Sequence, residues 1–145
     1  MVAPSPSILF ALAKARIEQI AGLLPGNVFD TQVPTTLPKD ASGNIRPYVV
    51  MFGGVGADLL QERDATGLAD VDLLDLPFQT TCVGPTPGHA RDVAFSVKQA
   101  LTNMPIGAGF VKPDPQGFRV DNPLPDNQVT PARFYMPLMW RLTTN

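Results

Sequence analysis

Proline constrains this chain more than any other residue. Sixteen prolines lie within 145 residues, together with 12 glycines, where average usage gives about 7 and 10. Proline has no N–H for a sheet ladder and clashes inside a helix. Much of this chain must therefore be loop, turn or strand edge. Residues 25–47 hold Pro25, Pro34, Pro38 and Pro47, and 105–131 is rich in Pro, Gly, Asn and Asp. Both stretches are read as dominated by loops.

The segments between them show clear periodicities. Ser5-Pro6 is an N-cap followed by proline at the first helical position. Phe10, Ala13, Ile17, Ile20 and Leu24 then recur at spacings of 3, 4, 3 and 4, which predicts a helix over 7–24 stopped by Pro25-Gly26. A short strand is expected at Val28–Gln32, followed by a long polar loop. Tyr48 to Phe52 is a β-branched and aromatic run between Pro47 and Gly53-Gly54, and reads as a buried strand. Leu73 to Val83 reads as a second strand, with Leu76, Phe78, Thr80 and Cys82 on one face. Residues 61–67 between them look like the turn of a hairpin with polar arms. Thr86-Pro87 repeats the cap and proline, and Ala90, Val93, Val97, Leu101 and Met104 predict a second helix over roughly 88–103. Short strand-like pieces follow at Gly109–Lys112 and Phe118–Asp121. Arg133 to Leu142 alternates strictly, with Phe134, Met136, Leu138, Trp140 and Leu142 on one face. Pro137 lies on the other, which predicts an edge strand or a bulge. The expected fold is α+β: two helices packed on a mostly antiparallel β-sheet, with Pro/Gly-rich loops, as a single domain over 1–145.

Charge narrows the function classes. Charged residues make up 17% of the chain, against a typical ~25%, which suggests a surface partly covered by partners. The net charge is −2, and the basic residues are spread from Lys14 to Arg141 with no stripe of the kind that phosphate contacts need. Phe134, Tyr135 and Trp140 would make a stacking platform for single strands only beside a basic groove. The lone Cys82 cannot form an internal disulfide and fits a reducing compartment. The apolar run from Ile8 to Ala13 is too short for a signal h-region or a membrane span, so a soluble protein made in the cytoplasm is expected.

Chemistry-bearing patterns are sparse. His89 and Cys82 lie seven residues apart, and a Cys–His pair is conceivable, but a core thiol beside a surface imidazole is the plainer reading. One His and one Cys cannot supply a zinc set. Asp64, Asp70, Asp72 and Asp75 crowd one stretch but lack the spacing of a calcium loop. Gly53-Gly-Val-Gly56 lacks the Lys-Ser/Thr of a phosphate loop, and a strand bulge accounts for it better. No catalytic residue, metal ligand or cofactor is assigned.

The order of elements carries a resemblance. The first helix, the Pro-rich loop, Pro47-Tyr-Val-Val, the second strand, the helix of the type Ala90-Arg-Asp-Val…Ala100-Leu and the closing run Val129-Thr-Pro-Ala-Arg-Phe-Tyr-Met-Pro-Leu-Met-Trp-Arg-Leu-Thr-Thr together resemble the tail terminator (tail completion) proteins of siphophages, over roughly residues 7–144. The resemblance implies a non-enzymatic virion protein. It would form a ring, usually of six copies, that caps the tail tube, stops its polymerisation and meets the head–tail connector, with DNA passing through the lumen. It implies localisation at the neck end of the tail, and in the host cytoplasm during assembly. No membrane partner and no sequence-specific nucleic acid are expected. Subunit and partner contacts are expected from the 33–46 loop and the 60–70 hairpin, namely Lys39, Asp40, Arg46, Gln61, Glu62, Arg63 and Asp64. A head–tail connector or head-completion protein of the same virus class is the alternative, and a small enzyme or ligand-binding domain using the Cys82/His89 region a more distant one.

Overall fold

A computed structural model describes residues 5–20, 23, 25–58, 74–115, 117, 120–129 and 131–144, and every structural statement below concerns these. They form two helices, α1 (Pro6–Glu18) and α2 (Pro87–Leu101), and eight strands: β1 (Val28–Asp30), β2 (Tyr48–Gly53), β3 (Ala57–Asp58), β4 (Leu74–Gly84), β5 (Pro105–Ile106), β6 (Gly109–Pro113), β7 (Leu124–Asp126) and β8 (Arg133–Thr144). The sheet order is β1-β2-β4-β8-β6-β5, with β3 also on β4 and β7 also on β8. Only β1 and β2 run parallel. The α+β architecture expected from the sequence is the one observed.

The long pair β4–β8 is the spine, and two prolines lie inside it. Pro137 falls opposite Thr81 and Pro77 opposite Arg141. The expectation of an edge strand or a bulge at Pro137 is incorrect: β8 is flanked on both sides, and its register with β4 is unbroken from Leu74↔Thr144 to Gly84↔Phe134. The solution lies in the neighbours. On its far side β8 pairs with β6 only from Trp140 onward and with β7 only up to Tyr135. Pro137 sits in the gap, where a missing N–H leaves no ladder bond unmade. Pro77 uses the same device on the far side of β4, because β2 pairing stops at Phe78 and β3 pairing starts at Asp75.

The two gaps are built differently. Between β2 and β3, four steps (Gly53 to Ala57) oppose three on β4 (Phe78 to Asp75), so one residue is extra, as in a β-bulge. Gly56 takes φ +73 there, and a Cβ on it would lie 2.7 Å from the Asp75 carbonyl oxygen; glycine alone fits. The Gly-rich run thus re-aims a strand. Between β6 and β7, Asp114 N still donates to the Met139 carbonyl at 3.0 Å, and pairing with β8 resumes only at Leu124↔Tyr135.

Alternation decides the core. The even-numbered residues Leu74, Leu76, Phe78, Thr80 and Cys82 of β4, with Trp140 and Leu142 of β8, are buried beneath the helices. The indole Nε1 of Trp140 donates to Thr80 Oγ1 at 2.9 Å, so the buried hydroxyl has its partner. From α2 come Ala90, Ala94, Val97 and Leu101; Val93 and Met104 pack at the margin. Helix α1 ends at Glu18, earlier than the predicted 24. Bonds of the i→i+3 type, Gln19 N to Arg16 O and Ile20 N to Ile17 O, tighten its last turn and let Ile20 and Leu23 reach the core from a non-helical backbone; Leu24 lies outside the described residues. Its inner stripe is Leu9, Ala13 and Ile17, centred one residue away from the predicted Phe10 stripe.

The opposite face of the sheet carries a second, smaller cluster. Tyr48, Val50 and Val83 are buried under Ile45, with Phe29, Val33, Leu37 and Tyr135 packed around them. The 33–46 segment, expected to be a polar loop, is therefore a lid whose sparse apolar residues do the covering. Arg133 locks its margin, donating to the Tyr48 hydroxyl at 2.6 Å and to Asp126 at 3.0 Å. The second predicted strand-like piece is corrected as well: Val120 and Asp121 are not in a strand, and the pairing segment is β7.

Candidate interaction surfaces

The residues expected to make contacts fall into two groups. Gln61, Glu62, Arg63 and Asp64 lie outside the described residues, as does the predicted 61–67 turn. Lys39, Asp40 and Arg46 belong to a small antiparallel tongue bridged at Lys39↔Ile45. Asp40 Oδ1 accepts from the backbone N–H groups of Ser42 and Asn44, each at 2.9 Å, while Gly43 turns the chain at φ +84. The backbone bond from Asn44 holds the Asp40 carboxyl below its ordinary range. Arg46 Nε donates to the Lys39 carbonyl at 3.2 Å. Asp40 and Arg46 thus shape the tongue that carries Lys39.

The Cys82/His89 region separates into two environments. Cys82 is fully buried, and burial pushes its thiol up to about 12; at neutral pH it stays protonated and unreactive. His89 is exposed, with Nδ1 2.6 Å from the cap hydroxyl of Thr86, which also accepts from His89 N–H. Gly84 lets strand and helix meet here, since a Cβ would lie 2.8 Å from Ala90 N. Of the crowded aspartates, Asp75 faces Arg141 at 3.4 Å. Among the described residues no three His, Cys, Asp or Glu side chains group as metal ligands, and no helix is long and apolar enough to cross a membrane.

Two surfaces missed by the sequence reading are more unusual. The first is the outer face of α1, where Ile8 is 57% and Leu12 47% exposed. Ala11 and Ala15 are exposed with them, so the outward stripe reads i, i+3, i+4, i+7 and is apolar throughout. A helix apolar on every side is normally a buried one. Glu18 and Arg16 border this stripe on its two sides, by the turn of 3.6 residues. The signal was present in Ile8-Leu-Phe-Ala-Leu-Ala13, six apolar residues where a surface helix would alternate with polar ones.

The second surface is a cleft of about 600 Å³ on the far side of α2. Helix α2 supplies one wall through Arg91, Ala94, Phe95 and Lys98, again at i, i+3, i+4, i+7. Met136 and Leu138 of β8 form the floor, next to the Pro137 gap, and Pro113, Asp114, Pro115, Gly117, Val120 and Asp121 form the other wall. Phe95 is 61% exposed at the mouth. Its signal in the sequence was an aromatic residue off the buried stripe of α2. The cleft thus lies beside α2, along the part of β8 between its β6 and β7 pairings. The sequence matches no protein-family model and no curated protein sequence.

Proposed function

We propose that this chain is a virion assembly protein acting as a tail terminator: a ring of identical subunits that caps the tail tube, ends its polymerisation and joins it to the head connector. The observation that carries the assembly part of this reading is the apolar outer stripe of α1. Exposed apolar faces of this kind mark protein contacts, and a subunit that completes its packing only in an assembly has use for one. The terminator role itself rests on the resemblance of element order and closing strand. The α+β fold and the Pro-braced β4–β8 spine support it, since a rigid frame is what presents loops at both ends of a ring.

Deleting the gene from a phage that carries it tests the role. The expected result is tails of uncontrolled, excessive length. Free tails of normal length beside DNA-filled heads would contradict it and point to a connector.

A further inference from the structure

We infer that residues 33–46 are a detachable lid, hinged at Thr31, that opens as a unit while the sheet beneath stays folded. The lid goes beyond the assembly role and does not depend on it. The segment lies in the crossover between the parallel strands β1 and β2, and its hydrogen bonds stay within it. Asp40 N–H donates to the Asn44 carbonyl, Gly43 N–H to that of Asp40 and Arg46 N–H to that of Pro38. The Asp40 carboxylate and the Arg46 side chain close on the same tongue. Among the described residues, none of these bonds reaches the sheet. What fastens the lid is apolar contact, from Val33, Leu37 and Ile45 onto Tyr48, Val50 and Val83. Lifting it therefore breaks none of its own bonds and strands no buried donor or acceptor of the tongue.

The hinge is strained. Thr31 takes φ +65, and Gln32 N–H donates back to the Asp30 carbonyl at 2.6 Å, a three-residue turn with positive φ at its centre. Turns of that hand are rare and strained, and positive φ is an outlier for a β-branched residue. Such strain persists only where the surroundings impose it. On one side, Thr31 N–H is held by the Met51 carbonyl at 2.8 Å, continuing the β1–β2 ladder. On the other, Val33 is packed against the cluster. Releasing Val33 frees the turn, so the strain favours the open form. Pro34 and Pro38 restrict the backbone beyond the hinge, and the stitched tongue follows as one body. The face beneath keeps its own ties, because Arg133 holds the Tyr48 hydroxyl and Asp126, neither of which belongs to the lid.

The test is thiol labelling of the full chain carrying Val50→Cys, with each thiol followed by peptide mass. Val50 is 4% exposed in the cluster under the lid, and native Cys82 is fully buried in the core on the helix side of the sheet. One molecule thus reports opening of the lid and opening of the main core. Circular dichroism checks folding, and Val83→Cys, in the same cluster, replaces Val50→Cys if that variant does not fold. The introduced thiol should react at least ~10 times faster than Cys82, as local opening precedes global unfolding. Adding Thr31→Asn, a residue that tolerates positive φ, should slow it about tenfold by relieving the strain of the closed form. Equal rates at the two thiols would overturn the lid, since the segment would then open only with the whole fold. A fast introduced thiol that Thr31→Asn leaves unchanged would overturn the hinge.

Discussion

The two helices of this protein differ in what they leave outside. On α2 the inner stripe Ala90, Ala94, Val97 and Leu101 is buried, while Arg91, Asp92, Lys98 and Gln99 face solvent; apart from Phe95 it is a finished surface helix. On α1 the inner stripe Leu9, Ala13 and Ile17 is buried as well, yet the outer stripe is Ile8, Ala11, Leu12 and Ala15. Equal burial inside and unequal chemistry outside separate two demands on one sequence. The inner faces serve the fold of one copy, whereas the outer face of α1 is left uncovered by it and, on the proposed function, is where another subunit docks. An isolated subunit needs only the first.

The largest expected effects fall on the inner faces and should be alike for both helices. Ile17→Ala and Leu101→Ala each remove a side chain with no exposure and should cost about 2–5 kcal/mol in urea unfolding. A cost below ~1 kcal/mol for Ile17→Ala alone would mean that α1 is not part of the core.

Beneath the helices, Cys82 sharpens the point through pH. Its folded pKa is raised by burial to about 12, from 9.0. The folded state therefore keeps a proton that the unfolded chain loses, and stability should fall as pH rises through that window, by about 1.4 kcal/mol per pH unit at most. Tyr48, also raised by burial, acts in the same direction at higher pH. Cys82→Ala should flatten the alkaline part of the curve, and an unchanged slope would show that the thiol is not buried in solution.

The caps come next. Thr86→Ala loses an acceptor for His89 N–H at 3.2 Å, and Ser5→Ala one for Ile8 N–H at 3.4 Å. About 1 kcal/mol is typical, with the shorter Thr86 bond costing more; a reversed order in thermal unfolding would break the comparison. Smallest are the outer faces. Leu12→Glu on α1 and Gln99→Glu on α2 should each change the stability of a single subunit by less than about 0.5 kcal/mol.

Much of the fold was legible because its signals are local. Ser5-Pro6 and Thr86-Pro87 fixed both helix starts, and the alternation of Leu76, Phe78, Thr80 and Cys82 against Trp140 and Leu142 fixed the spine and its inner face. What escaped were properties of neighbours. Pro137 reads as an edge residue until β6 and β7 are seen to part around it, and that parting depends on strands distant in sequence. The 33–46 segment reads as polar because Val33, Leu37 and Ile45 are spread too thinly to form a period, although Tyr48 and Val50 gather them. The expected contact residues were charged and polar ones on loops. Lys39, Asp40 and Arg46 form a tongue stitched by its own backbone bonds, and the apolar outer face of α1 escapes a search for one inner stripe because Ile8, Ala11, Leu12 and Ala15 lie off it.

The most direct test of the α1 assignment is the solution mass of the unmodified protein beside Leu12→Glu, by light scattering over a range of concentrations, with thermal unfolding of both. The account predicts a multiple of the 15.6 kDa subunit for the native chain and a folded monomer for Leu12→Glu. Equal masses for the two proteins, whether both monomeric or both assembled, would contradict it.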